Sequence, residues 1–397
     1  MIFIIALMNG SENKELLQVI LGRIRECGRI SFAEFMELVL YHPLHGYYQS
    51  PREKIGAGGD YYTSPNVHPI FGHLIARQIH EMWRALGRPL LFVIAEMGAG
   101  KGLLCSDIVH YCRDHLPDFY EAITYILAEK SPAFRQEQQS LLREFLTDGK
   151  IIWLDPDRLL AGEKPFSGCF LSNELVDSFP VHLVQRQEGQ LREIYVTHDG
   201  KTFLEISDSL STPALEEYFA SHGLPLREEQ RAEVNLRALE WMERVSRTLQ
   251  RGFVLTIDYG FMAAELYTPA RRDGTLIGYF RHTTSSNPYQ RIGYQDLTSH
   301  VNFSALIEKG EAVGLNKIGY TEQYKFLTAL GLLQDLEELE KLSTSYSPAE
   351  FFRNKLAMRS FLIPEGMGSL FKVLGQSKGL GKLDLRGFQD PFLPPKD

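Results

Sequence analysis

Apolar residues recur at helical spacing in two stretches near the start of the chain. The first stretch covers residues 13–40, with apolar positions at Leu16, Leu17, Ile20, Leu21, Ile24, Phe32, Phe35, Met36, Val39 and Leu40. Within it, Ser31 followed by Glu34 is typical of a capping box, which predicts that a second helix begins there. Residues 69–86 also have helical spacing, and the Gly-, Tyr- and Pro-rich residues 41–65 predict a long ordered loop.

From residue 90 onward, short apolar runs alternate with helical patterns. The runs predict strands at residues 90–95, 123–128, 151–154, 169–172 and 253–257. The helical patterns between the first three runs predict helices at residues 103–116 and 132–146. Repeated strand-helix-strand units indicate an α/β fold with a parallel sheet and helices on both of its faces.

Two stretches interrupt this alternation. Residues 183–210 alternate polar and apolar positions between turns at Glu188-Gly189 and Asp199-Gly200, which predicts an inserted antiparallel meander. Residues 261–300 lack a clear period and are interpreted as a second insertion. The predicted regions are a helical N-terminal region with its loop (1–86), an α/β domain (87–378, insertions at about 183–250 and 261–300) and a mobile tail (379–397).

Composition limits the classes of function. Hydrophobic residues make up 44% and charged residues 23% of the 397 residues, which is ordinary for a soluble globular protein. The net charge of −8 argues against nucleic acid as a partner, because phosphate binding needs a basic surface. The four cysteines form no C-x-x-C pair, which fits a reducing compartment and gives no reason to predict a metal site.

The first eight residues are apolar but too few to span a bilayer. They also lack the basic region and the cleavage site of a secretory signal. We therefore expect a cytoplasmic protein without membrane insertion.

The strongest chemical signal is the run Glu96-Met97-Gly98-Ala99-Gly100-Lys101-Gly102, between a predicted strand and a predicted helix. A dinucleotide-binding loop would need a small residue where Leu103 stands, and a phosphate-binding P-loop would need a hydroxyl residue in place of Gly102. The remaining interpretation, an acid followed by three spaced glycines, resembles the first motif of class I methyltransferases. We expect Glu96, Gly98, Gly100 and Gly102 to bind the amino acid portion of S-adenosyl-L-methionine.

Two further carboxylates end predicted strands. Glu129 follows the second strand, where a carboxylate can accept hydrogen bonds from both ribose hydroxyls of a nucleoside. Asp155 follows the third strand and could bind the adenine amino group, although a turn at an Asp-Pro pair needs no ligand to explain it.

The chain as a whole resembles the MidA-like family of methyltransferases, which includes the mitochondrial complex I assembly methyltransferase. Besides the glycine run, the matching segments are Tyr41-His42-Pro43, Gly46-Tyr47-Tyr48, Gly59-Asp60-Tyr61-Tyr62-Thr63-Ser64-Pro65, Phe71-Gly72, Ser172-Asn173-Glu174-Leu175-Val176-Asp177-Ser178-Phe179-Pro180-Val181, Ile257-Asp258-Tyr259-Gly260, Gly274-Thr275-Leu276, Asp296-Leu297-Thr298-Ser299-His300-Val301-Asn302-Phe303, Gly366-Met367-Gly368 and Phe371-Lys372-Val373-Leu374. Each segment alone is weak, and their shared order is specific.

The resemblance implies a Rossmann-like class I methyltransferase fold with a seven-stranded sheet, S-adenosyl-L-methionine as donor and a protein arginine as acceptor, with a subunit of respiratory complex I as one candidate target. It also implies that Thr63, Ser64 and Pro65 contribute to the cofactor site. The chain departs from the family pattern just after this segment, where Asn66 and His68 replace an acidic and a hydroxyl residue. This departure raises the possibility of a different specificity.

Asn173, Glu174 and Asp177 follow the fourth predicted strand, at the sheet edge where ligands of open α/β folds bind. Carboxylates there would bind a guanidinium in a fixed plane and help to remove its proton. The alternative is that they cap a helix or pair with nearby arginines. The absence of an Asn/Asp-Pro-Pro-aromatic motif disfavours transfer to DNA or to amides.

Three functions remain open from the sequence. The first is a protein arginine methyltransferase with these three residues in catalysis. The second is an assembly or interaction factor that binds the cofactor without turnover, and the third is a methyltransferase with a different acceptor. A nicotinamide-dependent dehydrogenase is disfavoured by Leu103.

Overall fold

The computed structural model describes residues 12–393 except 51, 53, 57, 62, 147, 223–225 and 364–367. The helices are α1 (Lys14–Cys27), α2 (Phe32–Tyr41), α3 (Ser64–Val67), α4 (Ile70–Ala85), α5 (Leu103–His115), α6 (Pro117–Ala122), α7 (Pro132–Leu141), α8 (Pro156–Leu159), α9 (Ala214–His222), α10 (Leu236–Thr248), α11 (Ala263–Leu266), α12 (Phe303–Ala312), α13 (Gln323–Ala329), α14 (Leu332–Lys341) and α15 (Pro348–Ser360). The strands are β1 (Ile30–Ser31), β2 (Phe92–Met97), β3 (Ile123–Ala128), β4 (Ile151–Leu154), β5 (Phe166–Asn173), β6 (His182–Gln187), β7 (Gln190–His198), β8 (Phe203–Asp208), β9 (Arg231–Val234), β10 (Leu249–Phe261), β11 (Ile277–Phe280), β12 (Thr283–Ser285), β13 (Asp296–Thr298), β14 (Val301–Asn302), β15 (Asn316–Glu322) and β16 (Phe371–Lys378).

Contacts divide the chain into two compact units, each made of three segments. The first unit comprises Met1–Tyr61, Ser178–Arg237 and Tyr267–His300. The second unit comprises Tyr62–Asp177, Ala238–Leu266 and Val301–Asp397. The domain boundaries after residues 86 and 378 remain a prediction. Helices α1 and α2 belong to the first unit, and α4 belongs to the second unit.

The second unit is built on a sheet with the strand order β15-β16-β10-β5-β2-β3-β4, with β14 paired to the end of β10. The strands from β10 to β4 run parallel, and β16 is antiparallel to both of its neighbours. The predicted seven-stranded α/β fold is therefore confirmed. Because β2 lies between β3 and β5, the connections diverge on either side of it, which opens a crevice at the carboxyl ends of β2 and β5.

Helices α4 and α5 cover one face of this sheet, where Phe71, Leu74, Ile108, Leu171 and Ile257 share one buried apolar core. The predicted strands at 123–128 and 151–154 coincide with β3 and β4. The prediction of strand at residues 90–95 is shifted, because Leu90 and Leu91 are exposed and β2 begins at Phe92.

Within the tail that is predicted to be mobile, the structure forms a packed turn at Arg386–Phe388, and the mobility of the tail stays a prediction. The Gly387 N–H donates to Gln78 Oε1 at 2.9 Å, and the Phe388 ring lies 5.3 Å from that of Phe326. Leu385, just before the turn, is buried. Apolar burial and a buried hydrogen bond outweigh the Gly- and Pro-rich composition of this segment.

The first unit contains the predicted meander, since β6, β7 and β8 pair antiparallel, with β1 and β9 at the sides. The insertion at 261–300, predicted without regular structure, contains the small antiparallel sheet β12-β11-β13. At the start of α2, Ser31 Oγ accepts from the Glu34 N–H at 3.1 Å as predicted. The Glu34 carboxylate instead accepts from Arg23 Nε at 2.6 Å, and the predicted capping box is not recorded there.

Candidate active site

The glycine run forms a tight turn between β2 and α5. Gly98, Gly100 and Gly102 have φ values of +76°, +52° and +84°, a left-handed conformation in which other residues are strained. A Cβ atom added at Gly98 would lie 3.0 Å from Leu175 Cδ1, and one at Gly102 would lie 3.0 Å from Gln138 Cγ. Backbone conformation therefore favours glycine at all three positions, and close packing adds to this at Gly98 and Gly102.

Glu96, which leads the run, is buried within β2. The Tyr125 O–H donates to Glu96 Oε2 at 2.7 Å, and only 2% of the residue is exposed. Burial raises the pKa of Glu96 to about 7, against the opposing effect of the Tyr125 hydrogen bond. Its visible role is to tie β2 to β3 below the turn, and direct contact with the cofactor remains a prediction.

The predicted ribose-binding carboxylate, Glu129, follows β3 and is joined to the glycine run through Gln138. Gln138 Nε2 donates to the Gly100 carbonyl at 2.8 Å and to Glu129 Oε2 at 3.3 Å, while its Oε1 accepts from Trp153 Nε1 at 2.9 Å. Glu129 Oε1 accepts from the Ser131 N–H at 2.7 Å, and burial raises the pKa of this carboxyl.

Gln138 was not found from the sequence. Its side chain is fully buried on α7, a helix whose pattern predicts only an ordinary amphipathic segment. The one sequence signal for Gln138 was a polar residue at a position where the helical pattern expects an apolar one. Its role in supporting the glycine turn is visible only from its neighbours in the structure.

Asp155 caps a helix. Its Oδ1 accepts from the N–H groups of Asp157 and Arg158 at 2.8 and 3.2 Å, at the start of α8. The cap accounts for one carboxylate oxygen of Asp155, which is exposed after β4, and the contact with adenine stays a prediction.

Three of the predicted residues meet after β5. Glu174 Oε1 accepts from the Ser64 N–H at 3.1 Å and from Asn173 Nδ2 at 3.0 Å. Glu174 has a φ of +53°, an uncommon conformation for a side chain of this size, and its own N–H donates to the Ile257 carbonyl at 2.9 Å. The strained backbone at a strand end is typical of functional positions. The Asn173 Oδ1 atom is buried without a hydrogen-bond partner among the described residues.

A further carboxylate organises the loop that follows. Asp258 Oδ2, at the neighbouring position on β10, accepts from the N–H groups of Leu175, Val176 and Asp177 at 3.2, 2.8 and 3.3 Å. Asp258 is fully buried, and burial together with the nearby charges of Asp177 and Glu174 raises its pKa well above the ordinary value. This residue stands in one of the family segments, but no local pattern in the sequence indicates that it belongs to the site.

The remaining predicted residues lie beside this group. Thr63 Oγ1 lies 2.5 Å from Asn66 Oδ1, and Pro65 is at the first turn of α3. His68 Nδ1 accepts from the Ile70 N–H at 3.0 Å and so supports the start of α4. Both departures from the family pattern thus have local structural roles.

Among the described residues there is no group of three or more metal-ligating side chains. In the same part of the chain, no helix is both long and apolar enough to cross a membrane.

Residues 74–321 match a protein family described as "putative S-adenosyl-L-methionine-dependent methyltransferase". The chain is 29% identical to the protein arginine methyltransferase NDUFAF7, mitochondrial, of Danio rerio, covering 92% of this chain and 87% of that protein. It is 28% identical to the Homo sapiens protein of the same name, covering 90% and 82%.

The fold is also similar to a crystal structure of a Burkholderia thailandensis protein bound to S-adenosyl-homocysteine. The TM-score is 0.84, with 29% sequence identity and 94% of each chain covered. The ligand in that structure is the demethylated form of the cofactor predicted from the glycine run.

The prediction of a cytoplasmic protein is contradicted by the curated relatives, which are named as mitochondrial. Scattered cysteines distinguish reducing from oxidising compartments. They do not indicate which reducing compartment a protein occupies, and neither does the absence of a secretory signal. These two features were therefore not sufficient to predict the cytoplasm.

Proposed function

The chain belongs to this family of S-adenosyl-L-methionine-dependent methyltransferases, and we propose that it methylates an arginine of a partner protein. The observation that carries the proposal is the meeting of Glu174 with Asp258 and Asp177 beside the glycine run. Carboxylates at this place suit a cationic, planar acceptor such as a guanidinium. The curated relatives, which are named protein arginine methyltransferases, support the same acceptor.

The donor side of the site consists of Gly98, Gly100 and Gly102 with Glu129 and Gln138. These residues fit S-adenosyl-L-methionine, because three glycines with positive φ form a turn without side chains and because a carboxylate stands at the end of the next strand. The glycine turn would hold the amino acid portion, and Glu129 would accept hydrogen bonds from the ribose hydroxyls. When bound, the cofactor supplies a methyl group on a positively charged sulfur.

The acceptor side consists of Asn173, Glu174, Asp177 and Asp258. Glu174 would bind the guanidinium and take the proton that the attacking nitrogen loses. Its Oε1 is held by Ser64 and Asn173, which fixes the plane of the carboxylate. Asp258 would act through the loop, because its three backbone hydrogen bonds hold residues 175–177.

Asp177 adds a second carboxylate, and its negative charge would raise the affinity of the acceptor side for a cation. Holding a reactive pair in the right geometry can supply much of the rate acceleration.

The test is incubation of the purified protein with methyl-labelled S-adenosyl-L-methionine and a cell lysate. We expect label in a small number of proteins, and methylated arginine after their hydrolysis. Label found only on lysine, on histidine or on small molecules would overturn the arginine assignment. Cofactor binding without any transfer would favour an interaction factor instead.

A further inference from the structure

Three arginine side chains surround one aromatic ring in the first unit. The guanidinium carbons of Arg52, Arg281 and Arg291 lie 5.1, 5.2 and 4.8 Å from the centre of the Phe280 ring. Any two of these groups are therefore about 10 Å apart or less, a distance at which physiological salt screens their repulsion only partly. The ring is half-buried, so the cluster is open to solvent on one side.

Among the described residues, Arg52 alone of these three arginines has a carboxylate partner. Arg52 pairs with the buried Asp60, and it also donates to the Tyr294 carbonyl at 2.8 Å. The side chains of Arg281 and Arg291 make no hydrogen bond or ion pair with any residue that the structure describes. Asp296 on β13 is buried and accepts from the Tyr48 O–H at 2.8 Å. Two positive charges of the cluster thus lack an ion-pair partner within the described chain.

The backbone that carries Arg281 is held in a strained conformation. Arg281 and His282 connect β11 to β12 with φ values of +45° and +58°. Positive φ at both central residues is the pattern of a tight hairpin turn that normally uses Asn-Gly. Such strain persists only where the surroundings enforce it.

Asp60 provides that enforcement. Its Oδ1 accepts from the Arg281 N–H at 2.8 Å, and its carbonyl accepts from the His282 N–H at 3.0 Å. Its Oδ2 accepts from the Tyr47 O–H at 2.8 Å and from Arg52. One buried carboxylate therefore fixes both the hairpin tip and one guanidinium of the cluster, although part of the positive charge remains uncompensated.

We propose that the cluster of Arg52, Arg281 and Arg291 on Phe280 is a binding site for an acidic polypeptide segment. Guanidinium groups bind carboxylates with paired hydrogen bonds, and the ring offers an apolar surface for the methylene groups of glutamate side chains. The net charge of −8 disfavours a nucleic acid, whose whole backbone would be repelled. This site goes beyond the proposed function and rests on it only in naming a polypeptide as ligand.

The test is fluorescence anisotropy of a labelled hexaglutamate peptide, titrated with the full-length protein at low salt. We expect binding to the wild-type protein that weakens as salt is added. The double substitution Arg281→Gln with Arg291→Gln should weaken it about tenfold, since each lost charge pair at an exposed site contributes modestly. Both side chains are solvent-accessible, and a urea unfolding curve equal to that of the wild type would verify the fold of the variant.

The matched control is Lys14→Gln with Arg25→Gln, which removes the same charge from exposed positions on α1 of the same unit. We expect less than a twofold change for this variant, and no binding of a hexaglutamine peptide. If both double substitutions weaken peptide binding equally, the loss reflects the net charge of the protein, and the proposed site is wrong. Absence of hexaglutamate binding, or tighter binding of oligouridylate, would also overturn it. None of these outcomes depends on methyl transfer, so they leave the proposed function untouched.

Discussion

The donor side and the acceptor side occupy the ends of neighbouring strands, and they are held in place by different means. On the donor side, the glycine turn is fixed by backbone conformation and by the neutral amide of Gln138. On the acceptor side, the loop after β5 is fixed by the buried carboxylate of Asp258, which lies close to Asp177 and Glu174.

This difference matches what each side is proposed to hold. The donor side is proposed to hold its ligand mainly by the shape of the glycine turn, which the amide of Gln138 supports through the Gly100 carbonyl. A site for a guanidinium that must lose a proton needs negative charge, and concentrating carboxylates has an electrostatic cost in the folded protein. We therefore expect substitutions on the two sides to change different measured quantities.

The largest expected effect is on the acceptor side. Glu174→Gln keeps the size of the side chain and can still accept from Ser64, but it loses the charge that binds the guanidinium. We expect methyl transfer to fall by roughly 10²–10⁴ with cofactor affinity unchanged. Asp177→Asn should act in the same direction with a smaller effect. Wild-type turnover in both variants would remove these carboxylates from the mechanism.

On the donor side, Gly98→Val should abolish measurable cofactor binding, a loss of roughly 100-fold or more. Valine at this position would have a strained backbone φ, and its side chain would press against Leu175. We therefore expect both the glycine turn and the loop that contains Leu175 to be displaced. The matched control is Gly149→Val, which also has positive φ but has no atom within 4 Å of the added Cβ. Normal cofactor binding by Gly98→Val, or equal loss in the control, would contradict the role of the turn.

The buried carboxyl group of Glu96, below the donor side, should make the stability of the protein depend on pH. The folded pKa of Glu96 is about 7, above its ordinary value of 4.5, so the folded protein holds this proton more tightly than the unfolded chain. Stability from this group is full below about pH 4.5 and is lost as pH rises to about 7, by on the order of 3 kcal/mol.

Glu96→Gln should remove this contribution from the free energy of unfolding, measured with urea at pH 5 and pH 8. Any fall that remains is expected to come from Asp107, whose pKa is also raised to about 7 by burial, and from Asp258 on the acceptor side. An unchanged difference between the two pH values would show that Glu96 does not titrate in this range.

Glu129→Ala should weaken cofactor binding by roughly 1.5–3 kcal/mol, because a charged acceptor for the ribose hydroxyls is lost. Calorimetric titration with S-adenosyl-homocysteine measures this directly. A dissociation constant equal to that of the wild type would place Glu129 outside the cofactor site.

The smallest expected effect belongs to Gln138. Gln138→Ala removes the bonds to Gly100 and Glu129 together, so the turn and the carboxylate lose their common support. We expect about tenfold weaker cofactor binding, since hydrogen bonds that act through positioning contribute modestly. Gln136→Ala, at an exposed position of the same helix, should bind normally. Equal affinities in the two variants would limit Gln138 to a packing role.

The sequence predicted those parts of the fold that depend on local pattern. The apolar runs that became β3 and β4 are short and bounded by helices, so the local pattern located both, although only β3 is largely buried. The strand β16 has polar residues at Lys372 and Gln376, and it is buried because it lies between β10 and β15. Such a strand depends on partners that are distant in sequence, and no local pattern indicates them.

The same division applies to the site. Glycines spaced after a strand carry their own conformational signal, and the structure gives all three positive φ. The role of Asp258 depends on the register that pairs Ile257 with Asn173, and that of Gln138 depends on which strand ends its helix crosses. Local sequence patterns predict neither the register between two strands nor the position of a helix over the sheet. At Asp155 the local turn was visible in the Asp-Pro pair, and the structure shows that its carboxylate caps α8.

The most direct test is the rate of methyl transfer at saturating cofactor, measured side by side for Glu129→Ala and Glu174→Gln. If the two sides divide donor binding from acceptor chemistry, saturation restores Glu129→Ala to nearly the wild-type rate. Glu174→Gln should then remain slower by roughly 10²–10⁴. Equal residual deficits in both variants, or recovery of Glu174→Gln alone, would contradict this division.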